Sequence, residues 1–134
     1  DLSTAVAGWQ EALTLTYWYR DVGNLAGDQA VVGRVRGEIE AMAAAQRYLG
    51  HRLLASEFRS FDLQSEAQAV VTARETWQDT LYAVSDYSPD PGDEVVSMRG
   101  PYVLDATYML ETIDEWPGWK VVSVSYAQEP PAFP

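Results

Sequence analysis

Residues 67-80 read Ala67-Gln68-Ala69-Val70-Val71-Thr72-Ala73-Arg74-Glu75-Thr76-Trp77-Gln78-Asp79-Thr80, and their period of two decides the fold. The odd positions Ala69, Val71, Ala73, Glu75 and Trp77 form one side, and Val70, Thr72, Arg74, Thr76, Gln78 and Thr80 form the other. Successive side chains alternate across a strand, so the odd side faces the core with one carboxylate, Glu75, set into it. In Tyr102–Ile113 the stronger apolar set is Tyr102, Leu104, Ala106, Tyr108 and Leu110, with Asp105, Thr107 and Glu111 opposite. Arg74 then pairs across strands with one of those acids. A segment near 53-63 and the stretch Trp119–Tyr126 supply further strands.

The connections follow from turn chemistry. Asp86-Tyr87-Ser88-Pro89-Asp90-Pro91-Gly92-Asp93-Glu94 is a loop by every local rule, and Glu115-Trp116-Pro117-Gly118 is a tight turn. Upstream, Ser3 or Thr4 caps a first helix with Val6, Trp9, Leu13 and Tyr17 at helical spacing, running to about Tyr19 or Asp21. Asp28 caps a second carrying Val31, Val35, Ile39 and Met42. Gly33 and Gly37 each cost that helix roughly 1 kcal/mol relative to Ala, which predicts a break near Gly37 or close packing there. The helical pattern ends around Tyr48-Leu49-Gly50, with Gly50 in the place of a C-terminal cap. Helices first and a meander of strands after cannot supply parallel crossovers. The fold class is therefore α+β, with N-terminal helices packed on a curved antiparallel sheet.

The 134 residues, 47% of them hydrophobic, suffice for one core. We read 1-127 as a single domain and the proline-rich 128-134 as a tail or linker. The chain has no cysteine, which removes disulfides, thiolate catalysis and cysteine-ligated zinc. No apolar run approaches the roughly 20 residues that span a bilayer, so this domain is not expected to insert directly into a membrane. Its start has neither a methionine nor a signal peptide's pattern, as expected of a piece of something longer. The net charge of −11 is unevenly placed: residues 1-61 hold seven acids and six bases, and residues 62-115 hold twelve acids and two bases. Such a field repels phosphate backbones and anionic lipid, which disfavours nucleic acid and points to a basic or apolar partner.

No residue constellation identifies a reaction, so no catalytic residue, cofactor or metal is assigned. Glu75 is the sharpest candidate for chemistry, because a partly desolvated carboxylate in a pocket can act as general acid or base or bind a ligand. Buried polar groups are normally paired, however, and that favours a structural carboxylate. His51 is the only histidine; beside Gly50 at a helix-to-strand junction it is read as exposed, and without a second histidine or a cysteine a zinc centre is improbable. The loop acids Asp86, Asp90, Asp93 and Glu94 lack calcium-loop spacing. Among the aromatics, Trp77, Tyr102 and Tyr108 are placed with Glu75 in a ligand-binding concavity. Trp18 and Tyr19 are the candidate partner contacts, since Tyr17-Trp18-Tyr19 points three ways on a helix and must leave a ring exposed.

The pieces Ala73-Arg74-Glu75-Thr76-Trp77, Pro101-Tyr102-Val103-Leu104-Asp105-Ala106-Thr107-Tyr108-Met109-Leu110-Glu111 and Trp119-Lys120-Val121-Val122, following two helices, resemble the nuclear transport factor 2-like, or cystatin-like, superfamily. Within it the chain is most similar to the intermembrane-space domain of chloroplast-division J-like proteins and their bacterial relatives, over Trp9 to Val124. The resemblance implies a curved sheet wrapped around helices and a domain held outside the cytoplasmic leaflet that binds a partner protein. The expected function is thus a non-catalytic interaction or sensing module, the extracytoplasmic part of a larger membrane-anchored protein. The alternative is a small enzyme of the polyketide-cyclase or ketosteroid-isomerase type, acting on a hydrophobic ligand with Glu75 as base and Tyr102 or Tyr108 as oxyanion donor. That alternative needs a cavity of roughly 300 Å³ or more at Glu75. Val103, Met109 and Ile113 on the outer sheet face leave room for a homodimer.

Overall fold

A computed structural model describes residues 1–113 and 118–134. Two helices, α1 (Leu2–Tyr19) and α2 (Gln29–Ala44), precede four strands, β1 (Arg47–Leu63), β2 (Gln68–Ala83), β3 (Val95–Thr112) and β4 (Trp119–Tyr126). The strands form one antiparallel sheet in the order β1-β2-β3-β4, with the helices on one side of a curved, open surface. The α+β architecture is the one the alternating segments predict.

Capping differs from the sequence reading at α1. Asp1, and neither Ser3 nor Thr4, is the N-cap, its Oδ1 accepting from the Thr4 amide at 2.8 Å and from the Ser3 hydroxyl. The helix ends at Tyr19, where Arg20 takes a left-handed conformation (φ 59°). Asp28 caps α2 as expected, accepting from the Val31 amide at 3.0 Å. The helix runs unbroken through Gly33 and Gly37, and neither glycine is packed against a neighbour, because a Cβ at either would meet nothing within 4 Å. Burial of Val31, Val35 and Ile39 on the opposite side holds the helix despite them.

The helical pattern stops at Ala44, short of Tyr48–Gly50. Gln46 turns the chain at φ 60°, and β1 has begun by Arg47, so Gly50 is a strand residue and not a cap. It is paired with Thr80, and a Cβ there would lie 3.1 Å from the Tyr82 ring, which packs edge-on against Trp18. At the other hairpin, β3 starts at Val95 and not at Tyr102. It passes through Gly100 (φ +97°) and Pro101, residues that read as strand breakers but sit beside a register shift in the ladder with β2. The loop 84–94 lies where turn chemistry put it. The turn expected at Glu115–Gly118 falls on 114–117, outside the described residues.

The inner faces are those read from alternation. Ala69, Val71, Ala73 and Trp77 of β2 and Tyr102, Leu104, Ala106, Tyr108 and Leu110 of β3 are all buried against Val6, Trp9, Leu13 and Tyr17 of α1 and the apolar stripe of α2. A fully buried large apolar side chain contributes on the order of 1.5–3 kcal/mol, which makes Trp77 and Tyr108, both at 0% exposure, principal anchors. Arg74 pairs with Asp105 across the outer face at 3.2 Å.

Candidate functional site

Two buried carboxylates divide the inner face of the sheet. Glu75 accepts from Trp77 Nε1 at 2.9 Å on one oxygen, and from Gln10 Nε2 at 2.9 Å and the Tyr108 hydroxyl on the other. Gln10 is anchored in turn to Ser56. Both oxygens of Glu75 are hydrogen-bonded within the protein, and it is 0% exposed. Burial, followed by the neighbouring Tyr126 and Glu75, raises the Tyr108 pKa far above its ordinary value, so its hydroxyl stays a donor to the carboxylate.

Asp79 lies four residues further on the same side of β2 and is also 0% exposed. Its Oδ1 accepts from His51 Nδ1 at 2.6 Å, and its Oδ2 from Arg99 Nε at 2.7 Å and the Tyr102 hydroxyl at 2.6 Å. Burial pushes the Asp79 pKa up, but hydrogen bonding to and the charge of His51, then the bonds from Tyr102 and Arg99, outweigh it and the net direction is down. His51 is therefore buried and paired, not exposed: β1 begins early enough to turn it inward beside Leu49, and its ring lies flat on Trp77. An ionised Asp79 holds the imidazole proton on Nδ1. Nε2 has no hydrogen-bond partner among the described residues and is not sealed from solvent.

His51, Arg99 and Tyr102 line one wall of a cavity of about 640 Å³ between the helices and the sheet. Leu13, Val35, Met42, Leu49 and Leu104 supply its apolar walls, and Arg34 and Glu38 of α2, Tyr17 of α1 and Tyr126 of β4 complete its polar lining. The Tyr17 hydroxyl donates to Glu38, and the Arg34 guanidinium lies 5.6 Å from the Tyr126 ring centre. The last wall is the C-terminal segment: Gln128, Glu129, Pro130 and Phe133 all face the space. Arg99 fastens it, donating from Nη1 to the Pro131 carbonyl at 3.0 Å with the Phe133 ring 4.3 Å away.

Of the four residues assigned to ligand binding, only Tyr102 lines this cavity; Glu75, Trp77 and Tyr108 are packed beneath the sheet's inner surface and do not. Tyr19 projects into solvent at 61% exposure, whereas Trp18 is half-buried, edge-on to Tyr48 and Tyr82. Glu75 is not the only inward carboxylate, and Asp79, His51 and Arg99 are what sequence reasoning missed. Parity alone places Asp79 with Glu75. Asp93, from the acidic loop, accepts from the Tyr48, Ser85 and Ser88 hydroxyls and from the Asp90 amide. Among the described residues no cluster of three or more His, Asp or Glu could hold a metal, and no helix is long and apolar enough to cross a membrane.

This arrangement is similar to a solved chloroplast domain. The crystal structure of the intermembrane space region of chloroplast protein ARC6 matches 93% of this chain and 92% of that chain with a TM-score of 0.66, at 15% sequence identity. At that identity the likeness is one of fold. No protein-family model matches the sequence, and no curated protein matches it.

Proposed function

We propose that this domain is an interaction or sensing module that takes a small hydrophobic ligand, or a segment of a partner protein, into the cavity between its helices and sheet. The single observation that carries this reading is the construction of the cavity: apolar walls, a few convergent polar groups at one end, and one wall made of irregular chain. The shared fold with an intermembrane-space region supports a place outside the cytoplasm; membership of the nuclear transport factor 2-like superfamily and a larger, membrane-anchored parent protein rest on the sequence resemblance alone. The test is titration with the apolar anion 1-anilinonaphthalene-8-sulfonate, against an Ala41→Trp variant. Ala41 lines the cavity from the exposed side of α2, so an indole there fills space without disturbing the core. Saturable one-to-one binding, lost in the variant at unchanged unfolding midpoint, supports the reading; binding that survives the substitution refutes it.

A second reading, a proton-transfer enzyme, is favoured by one specific observation. The base is then His51 rather than Glu75, since His51 lines the cavity and Asp79 fixes its Nδ1, leaving Nε2 as the nitrogen free to take a proton. Elimination of 5-nitrobenzisoxazole, in which a base takes the ring C–H proton as the N–O bond breaks to a phenoxide, reports such a base directly. On this reading His51→Gln slows the reaction by about 100-fold or more; equal rates remove it.

A further inference from the structure

The C-terminal segment follows an unpaired edge. β4 pairs with β3 only over Ala106–Thr112, leaving Val95–Asp105 without a strand on that side among the described residues. The chain leaving β4 covers part of this gap. The Ala127 amide donates to the Asp105 carbonyl at 3.0 Å, the Asp105 amide donates to Gln128 Oε1 at 2.7 Å, and Pro131 and Phe133 both engage Arg99. Pro130 and Pro131 have no amide hydrogen, so the segment cannot continue the ladder. What holds its far end is one exposed hydrogen bond, one ring on a guanidinium and the half-buried packing of Phe133 on the edge of the core, with every other residue from Ala127 to Pro134 exposed; so few buried contacts suit a segment that opens locally.

We propose that Gln128–Phe133 is an in-cis occupant of a peptide site, and that the partner is a short extended segment with an aromatic residue two positions after a backbone carbonyl, both of which engage Arg99. Such a segment displaces the tail. One carrying amide hydrogens where the tail has prolines can also donate to β3 carbonyls along the uncovered edge, which the tail cannot. Arg99 suits the task because Asp79 accepts from its Nε at 2.7 Å, the Tyr102 ring centre lies 5.7 Å from the guanidinium carbon, and Nη1 is left to reach the Pro131 carbonyl. The inference deepens the binding reading above and rests on it.

The probe is the synthetic peptide Gln-Glu-Pro-Pro-Ala-Phe-Pro, titrated into the full 134-residue chain as wild type and as Phe133→Ala, with chemical shifts of the Arg99 Nε–H followed by NMR. An attached tail competes at an effective concentration of roughly millimolar. The variant should therefore bind the peptide at least about 10-fold more tightly than the wild type, and a peptide with Ala in place of Phe should lose that binding. Equal affinity for the two chains, or no binding to either, overturns the proposal. If Phe133→Ala does not fold, the wild type decides: millimolar peptide moves the Arg99 resonance, or the proposal fails. Entry of 1-anilinonaphthalene-8-sulfonate in the same samples separates the two readings, since dye binding without peptide binding removes only this inference, and loss of both removes the cavity function too.

Discussion

The imidazole of His51 lies on the indole of Trp77 with ring centres 3.8 Å apart and planes 7° from parallel. Asp79 sets that geometry by gripping Nδ1, while Arg99 and Tyr102 complete its shell. Replacing Asp79 with Ala strands a guanidinium and two donors in a low-dielectric setting. Breaking a buried pair from one side typically costs roughly 3–5 kcal/mol, so Asp79→Ala should lower the unfolding free energy by that amount, read in urea as a lower midpoint at unchanged slope.

Glu75 meets three donors and no acceptor. In Glu75→Gln one of the two terminal positions becomes an NH₂ group facing another donor, at a cost of about 1–3 kcal/mol. Tyr108→Phe should relieve part of that conflict, and a double-mutant cycle by chemical denaturation would show non-additivity. Dye binding in the cavity should be unaltered in both variants, because neither residue lines it.

Acid should loosen the 84–94 loop. Hydrogen bonds from Ser85, then Ser88 and Tyr48, lower the Asp93 pKa from 3.8 to about 2. A carboxyl whose folded pKa is depressed stabilises the native state fully above its unfolded value, and that contribution disappears as pH falls through the folded value. Stability should therefore drop between about pH 4 and pH 2, and Asp93→Asn should flatten this limb of the curve in thermal melts taken across the range. Asp79, also depressed, contributes in the same direction.

Two glycine substitutions should act with opposite sign. At Gly100, φ is +97° and an added Cβ would sit 2.8 Å from the Trp77 carbonyl oxygen, so Gly100→Ala should destabilise by at least roughly 1–3 kcal/mol. Gly37 has open space around it in a helix interior, and Gly37→Ala should stabilise by about 1 kcal/mol. Differential scanning calorimetry on the two variants checks both.

The sheet was legible because each inner face buries apolar side chains at a strict period, and a one-residue error would put every one of them in water. The same alternation put Arg74 opposite the acids of β3, and the register makes Asp105 its partner. The site was harder. Asp79 continues the Glu75 side of β2, yet its partners lie 28, 20 and 23 residues away in sequence, and only the ladder brings His51, Arg99 and Tyr102 together. His51 looked exposed because Gly50 resembled a helix cap, whereas its missing side chain makes room for Tyr82. Arg99 was lost with the first half of β3, since Gly100-Pro101 carries the local signature of a break and the register shift that absorbs it has none.

β1 is an edge strand of 17 residues, long enough to recruit a strand from another molecule. Its ladder with β2 slips at Leu53/Ala55 and again at Phe58/Ser60. Each slip adds local twist and bends the edge, so a neighbouring copy finds only short straight runs to pair with. Leu54, Phe61 and Leu63 are exposed on this strand, and its crookedness shortens the apolar run on which a fibril could be templated.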